Sequence, residues 1–462
     1  MDSTNLEPIN RCHVVALPYP GRGHINPTMN LCKLLVSRSD DLLISFVVTE
    51  EWLGLIGSEA KPSNIRFCTI PNVLPSELVR GADIVGFIEA VLTKMEEPFE
   101  QLLDRLEPPP TIIVADVFVL WAAKVGNRRN IPVAALWPMP MSVFSIFYHF
   151  DLFVQNQDYP FDVSEKGEKR VGYIPGISSI RLVDLPTTFY KNQQLLHKAV
   201  KMISHMPKAQ FFLFTSIFEL EAQVINALRP KLSMPMYSFG PLIPQFTRGG
   251  NASDHMTSHN DTNYYYKWLD SQPQGSVLYI SLGSFLSVSS AQMDEIAAGL
   301  GASGVRFLWV ARGEASRIKD ACGDAGIVVP WCDQLNVLCH SSIGGFLTHC
   351  GWNSTIESVF AGVPMLTFPI LVDQVPISKT ICEDWRIGWR VMKREGGTEN
   401  LVGREEIANH VRRFMDLESR ERTEMDRKVK ELQGMSRQAI AKGGSSEVSL
   451  SAFIKDISQL TS

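Results

Sequence analysis

Two series of short apolar runs, each interleaved with stretches of helical patterning, constrain this chain more than any single motif. In the first half the runs lie near residues 13–18, 43–49, 65–69, 111–115, 132–136 and 210–215. In the second they read SVLYISL (276–282), RFLWVA (306–311), GIVVP (326–330), IGGFLTH (343–349) and PMLTFP (364–369). Strands that are apolar almost throughout are strands covered on both faces, so each series predicts a doubly wound parallel sheet in an α/β fold. Between them FTRGGNASDHMTSHNDTN is polar, rich in Gly, Ser, Asn and Asp, and without periodicity, which predicts an interdomain linker over 246–263. The expected organisation is an N-terminal domain over 1–245 and a C-terminal domain over 264–462. The last stretch, SSEVSLSAFIKDISQL, reads as an amphipathic helix free to pack back on the N-terminal domain. A length of 462 residues agrees, because single cores stop growing well below that size.

Composition removes several classes of function. A formal net charge of −5 with 20% charged residues gives nucleic acid no basic surface to bind. The opening MDSTNLEPINRC has no apolar segment of a secretory signal, and no run of about 18 apolar residues follows that would span a bilayer. A cytoplasmic monomer with free thiols is the expectation, since the eight cysteines lack the density of a disulfide scaffold. Cys332, Cys339, His340, His349 and Cys350 cluster in sequence but contain no close C-x2-4-C pair, and no metal is expected there.

Chemistry is expected where strands end. HVVALPYPGRGHINP places His24 in a glycine turn after the first apolar run, with Asn26 positioned to cap a helix beginning at Pro27. The carboxyl edge of an open α/β sheet is where ligands collect. Asp116 closes another strand, TIIVAD, in the same half, and a carboxylate there needs a partner. Two turns in the second half resemble anion sites. Gly283 and Ser284 follow one strand and precede a helix near Ser290; CGWNSTIES follows another, with Gly351 permitting a tight turn and Asn353 and Ser354 opening a helix. Ser354 to Glu357 also spells S-x-x-E, an ordinary capping box. GRGHIN begins like the dinucleotide fingerprint but has Asn26 at its third glycine position.

The run from Trp331 to Gln374, WCDQLNVLCHSSIGGFLTHCGWNSTIESVFAGVPMLTFPILVDQ, closely resembles the signature of plant family 1 UDP-dependent glycosyltransferases. PYPGRGHINP and GSVLYISLGS extend that resemblance over the rest of the chain. It implies the GT-B fold, two Rossmann-like domains facing across a cleft, and an inverting transfer from a UDP-sugar to an acceptor hydroxyl. By position, Trp331 would stack on uracil, Gln334 and Glu357 would bind ribose, and His349, Asn353, Ser354 and Ser284 the diphosphate. Trp352, Asp373 and Gln374 would hold the sugar, and Cys332 and Gly351 belong to the same donor set. His24 would be the general base, with Asp116 holding its other ring nitrogen. Gln374 accompanies glucose donors in this family, so UDP-glucose is the expected donor and a β-glucoside the product, without a metal. Apolar stretches 137–150 and 185–190 are expected to line a pocket near His24 for a hydrophobic, hydroxylated small molecule.

Two departures from the family are Asp333, where proline is usual, and Pro138, where many relatives carry Ser or Thr. The competing readings are an NAD-dependent oxidoreductase, which would use Glu50 or Glu51 after the second strand, and a UDP-sugar-binding protein without catalysis.

Overall fold

The computed structural model describes residues 11–77, 80, 83–243, 263–283, 288–311, 315–391 and 401–461. The expected linker over 246–263 lies outside the described residues except for Asn263, the first residue of a helix, and Ser284 lies outside them altogether.

Every apolar run in both series forms a strand. The first half contributes β1 (Cys12–Leu17), β2 (Leu42–Thr49), β3 (Ile65–Ile70), β4 (Ile112–Asp116) and β5 (Val133–Trp137). A small antiparallel pair follows, β6 (Arg170–Val171) and β7 (Ile180–Arg181), and then β8 (Phe211–Phe214) and β9 (Met236–Ser238). The second half contributes β10 (Val277–Ser281), β11 (Arg306–Val310), β12 (Gly326–Val329), β13 (Ile343–Thr348), β14 (Met365–Thr367) and β15 (Gly388–Arg390).

The large sheets are parallel and doubly wound, in the orders β3-β2-β1-β4-β5-β8-β9 and β12-β11-β10-β13-β14-β15. Each therefore changes winding direction once, between β1 and β4 and between β10 and β13. The register fixes what stands at those points. Leu17 pairs with Ala115, so the residues after β1 emerge beside Asp116; Ser281 pairs with Thr348, so Gly283 emerges beside His349. Strands β9 and β15 carry no strong apolar run of their own and are edge strands, which is why sequence periodicity passes over them.

The chain divides into two compact units. The first comprises 1–150, 194–245 and 439–462, and the second 151–193 and 246–438. Residues 151–193 thus group with the second unit, whereas the sequence placed them in the first domain. The reason is a set of ionic contacts that periodicity does not reveal: buried Asp184 accepts from Arg181 Nε at 2.7 Å and from Arg390 Nη1 on β15 at 2.9 Å.

The first core is built on β1, β2 and β4 and is completed by the C-terminal helix Ser445–Ser458, whose Leu450, Phe453 and Ile457 are fully buried. Phe453 packs against Tyr237, Phe239 and Phe211 at ring-centroid distances of 5.3, 5.7 and 5.9 Å. This contact joins the last segment of the chain to strands β8 and β9. Deleting a buried phenyl ring costs about 3–5 kcal/mol. Phe453→Ala is expected to lower the unfolding free energy by that amount and so to move the guanidinium midpoint down, although residue 453 lies far in sequence from the sheet it covers. An unchanged midpoint would mean that the helix contributes nothing to the first unit.

Candidate active site

His24 belongs to the first turn of helix Arg22–Val36 rather than to a turn before it. Gly21 is the N-cap, and His24 N and Ile25 N both donate to Gly21 O at 2.9 and 2.8 Å. The expected start at Pro27 is thus corrected. Proline's fixed φ is helical, and only the bond to the carbonyl four residues back is lost, so a helix can begin before it. Gly21 leaves room for Arg80: a Cβ there would lie 2.6 Å from Arg80 Nη1, which donates to Pro20 O at 2.7 Å.

His24 Nδ1 lies 2.7 Å from Asp116 Oδ2. Asp116 is buried at the end of β4, and the imidazole is about a fifth exposed. The other carboxylate oxygen, Oδ1, accepts the Phe118 backbone N–H at 2.9 Å, so both oxygens are fixed. A carboxylate can only accept, which places the imidazole proton on Nδ1 and leaves Nε2 as a proton acceptor. Tyr19 and Phe118 flank the ring, with centroids 5.0 and 5.4 Å away, and Phe118 stacks on Trp137 at 5.7 Å. Sequence reading missed Tyr19 and Phe118, although each stands next to a motif it did identify. An oriented, partly exposed imidazole walled by aromatic rings can take a proton from a hydroxyl held beside it.

The second unit assembles the long signature at the carboxyl ends of β10, β12, β13 and β14. Trp331 follows β12 and is 54% exposed, presenting an indole face. Cys332 is buried, with its Sγ 3.4 Å from Tyr279 Oη. That same hydroxyl donates to Gln334 Oε1 at 3.1 Å, and Gln334 Nε2 donates to Glu357 Oε2 at 2.7 Å and to Ser354 Oγ at 3.0 Å. Tyr279 escaped the sequence reading, yet a tyrosine inside an otherwise apolar strand is the signal, because its buried hydroxyl needs a partner. Asp333 replaces the family proline as N-cap of helix Gln334–Leu338, accepting from Asn336 N at 3.1 Å.

The capping box expected at Ser354 and Glu357 does not form. Helix Trp352–Ala361 starts two residues earlier with Gly351 as N-cap, so Asn353 and Ser354 stand inside its first turn. Gly351 does not make the tight turn either, its φ being −61°; Cys350 takes the positive φ of 69°. What Gly351 supplies is space, since a Cβ would come within 2.5 Å of His349 Nε2, and one on Gly283 within 2.9 Å. His349 therefore stands between two glycines at a helix N-terminus, and desolvation pushes its pKa down to about 4. The ring is neutral at physiological pH, and one of its nitrogens bonds the Ser281 backbone carbonyl. Burial acts on Glu357 in the opposite sense, raising its pKa to about 7.

At the far end of the signature, Gln374 Oε1 accepts from Ile370 N at 2.8 Å and Leu371 N at 3.1 Å. The amide oxygen is thus committed to its own loop, leaving Nε2 as the end available to a ligand. Asp373 and Gln374 are both partly exposed. Stretch 185–190, expected to line an acceptor pocket near His24, groups with the second unit, where Leu185, Thr187, Thr188 and Phe189 are buried.

The candidate metal cluster is dispersed. His340 bonds Ser342 and Asp270, Cys332 faces Tyr279, and Cys350 Sγ turns to Thr348 O. Among the described residues no three His, Cys, Asp or Glu side chains are placed to hold a metal ion. Glu51, the acid after β2, binds Glu77 N at 3.1 Å and the Ser76 hydroxyl, so it serves the fold.

Residues 188–398 match the family described as UDP-glucoronosyl and UDP-glucosyl transferase. UDP-glycosyltransferase 87A2 of Arabidopsis thaliana is 52% identical, with 99% of each chain covered. The chain belongs to the plant family 1 UDP-glycosyltransferases. UDP-glycosyltransferase 87A1 of the same plant is 50% identical over 96% of this chain and all of that one. The fold is GT-B. Medicago truncatula UGT71G1 complexed with UDP-glucose superposes with a TM-score of 0.81 at 26% identity, covering 97% of this chain and 99% of that one. Phytolacca americana UGT2 complexed with UDP-2fluoro-glucose and pterostilbene gives 0.78 at 27%, covering 96% and 99%. This UDP-glycosyltransferase thus has no use for the dinucleotide reading of GRGHIN. No helix among its described residues is long and apolar enough to cross a membrane.

Glu357 generates a pH prediction. Its raised pKa means that the fold favours the neutral carboxyl, a contribution present at acid pH and lost as pH rises through about 7. Ribose hydroxyls are better held by the ionised form, which accepts at both oxygens. Affinity for uridine, which carries no titrating phosphate, should therefore rise from pH 6 to pH 8, and Glu357→Gln should flatten that dependence while weakening binding. An equally steep profile in the variant would remove Glu357 from ribose recognition.

Proposed function

We propose that this UDP-glycosyltransferase transfers glucose from UDP-glucose to a hydroxyl of a hydrophobic small molecule, with inversion, giving a β-glucoside and UDP. The observation that carries the reading is the His24–Asp116 pair, an imidazole oriented by a buried carboxylate. In the reaction His24 Nε2 takes the acceptor's hydroxyl proton as that oxygen attacks the anomeric carbon. The bond from the anomeric carbon to the diphosphate oxygen breaks, and UDP leaves with the electron pair. Asp116 keeps Nδ1–H in place and balances the imidazolium. Such a base is worth roughly 10² to 10⁴ in rate.

The donor residues support the same reading. Trp331 would receive uracil on its exposed face, while Cys332, beside it, shapes the loop. Gln334 and Glu357, already joined to each other, would take the ribose hydroxyls. The N-terminus of helix Trp352–Ala361, through Gly351, Asn353 and Ser354, would bind the diphosphate together with neutral His349 and Ser284. Trp352, Asp373 and Gln374 would hold the sugar. Gln374 favours glucose because its remaining Nε2 is placed as a directed donor, and a galactose 4-hydroxyl, turned axial, would leave it unpaired at a cost of about 1–3 kcal/mol. UGT71G1 complexed with UDP-glucose and the crocetin glucosyltransferase of Gardenia jasminoides, 29% identical, are relatives whose names carry this sugar.

The acceptor's apolar character is inferred from Tyr19, Phe118 and Trp137 around His24, and the pterostilbene bound by the Phytolacca relative has that character. Leaving-group charge is met by N–H groups and hydroxyls, and no metal enters the scheme. The protein acts as a monomer in the cytoplasm.

Acceptors incubated with UDP-glucose and followed by mass spectrometry should gain one hexose, and UDP-glucose should give the highest kcat/KM among UDP-glucose, UDP-galactose, UDP-xylose and UDP-glucuronate. A UDP-galactose rate equal to or above that of UDP-glucose would refute the sugar assignment. His24→Ala should lose roughly 10² to 10⁴ in turnover with UDP affinity intact; a fall in UDP binding as large as the fall in turnover would make His24 a donor ligand instead. Excess EDTA should leave the rate unchanged; loss restored by zinc alone would reinstate a metal.

A further inference from the structure

Val372 immediately precedes Asp373 and Gln374 and adopts a φ of 49°, in the left-handed region that a β-branched residue avoids. Such a conformation persists only where surrounding contacts impose it. One residue supplies them from a distant part of the sequence. Val372 N donates to Thr187 Oγ1 at 2.9 Å, and Thr187 N donates to Val372 O at 3.3 Å. Both peptide groups of the valine are therefore held by Thr187, in two directions, which restrains its φ and ψ together.

Thr187 is itself buried and fixed. Its segment is bolted to the second unit by Asp184 between Arg181 and Arg390, and by Lys379 Nζ, which donates to Ser178 Oγ at 2.6 Å and to Asp384 Oδ1 at 2.7 Å. Arg390 Nε reaches Ser378 Oγ at 3.0 Å, in the same helix Gln374–Lys379 that Gln374 opens. With Val372 left-handed, the chain reverses so that Gln374 N meets Leu371 O at 3.2 Å and Gln374 Oε1 caps Ile370 N and Leu371 N.

We propose that Thr187 is a positioning residue for the sugar end of the donor site, holding Val372 left-handed and so aiming the amide Nε2 of Gln374, and Asp373 beside it, at the hexose. This rests on the reading of Asp373 and Gln374 as sugar ligands. It gives residues 185–190 a role in donor selection instead of the acceptor pocket their apolar character suggests. The hydroxyl is the essential part, because valine has the same shape and cannot accept from Val372 N.

The test compares Thr187→Val, Thr187→Ser, Gln374→Ala and the double variant Thr187→Val/Val372→Gly in the full chain, using calorimetry with UDP and with unreactive UDP-2-fluoro-glucose, then kinetics with UDP-glucose. Thr187→Val should leave UDP affinity within about twofold and weaken the fluoro-sugar by about 5- to 30-fold, the loss of one buried hydrogen bond. KM for UDP-glucose should rise more than kcat falls, and the lead over UDP-galactose should narrow. Thr187→Ser should restore all three, and Val372→Gly should recover part of the loss because glycine takes a positive φ without help. A merely structural threonine would move thermal stability and weaken UDP and the fluoro-sugar alike, which would overturn the proposal. If Gln374→Ala leaves the sugar-dependent affinity intact, the underlying assignment of the sugar site fails and the proposal with it. If that variant loses affinity while Thr187→Val does not, only the clamp is refuted.

Discussion

The hydrogen bond between His24 and Asp116 depends on one constraint, the parallel pairing of β1 with β4 where the sheet changes winding direction. A carboxylate closing an apolar strand is unstable when buried alone, since removing a charge from water without a partner costs several kcal/mol. The register that sets Leu17 against Ala115 delivers the imidazole to it, and the Phe118 backbone N–H completes the set. The second unit repeats the arrangement with different chemistry. There the switch between β10 and β13 brings Gly283 beside His349, and the glycine's missing side chain makes room for the ring. The two switch points thus carry different groups, a His–Asp pair at one and a buried histidine between glycines at the other.

The two edges also differ in how they handle charge. In the donor half, burial works against charge on both titrating groups, lowering His349 to about 4 and raising Glu357 to about 7. The N-terminus of helix Trp352–Ala361 therefore stands beside a neutral ring and not beside a full positive charge. Lys379 and Arg390 are committed to Asp384 and Asp184, and they fix the segment 178–187 against the helix that begins at Gln374.

Much of this was legible in the sequence, for identifiable reasons. Buried parallel strands need continuous apolar runs, so every run became a strand. Asp116 and His24 were paired because a buried carboxylate must have a partner. Local helix starts were less legible: Pro27 and the S-x-x-E at Ser354 both carried ordinary start signals, and in each case the helix begins upstream of them with a glycine as N-cap. Least legible was the membership of residues 151–193, because their attachment rests on side-chain ion pairs and on the Thr187–Val372 contact, which join positions about 200 residues apart without any periodic signature.

The central claim is that His24 removes the acceptor's proton during transfer. The most direct measurement is the deficit of His24→Ala across a series of phenolic acceptors of similar size and falling pKa, at fixed pH with saturating UDP-glucose. If His24 is the base, the deficit shrinks towards unity for phenols already ionised at the assay pH, since a phenolate needs no deprotonation. A deficit that stays the same for neutral and ionised phenols would contradict the account and leave His24 a structural residue.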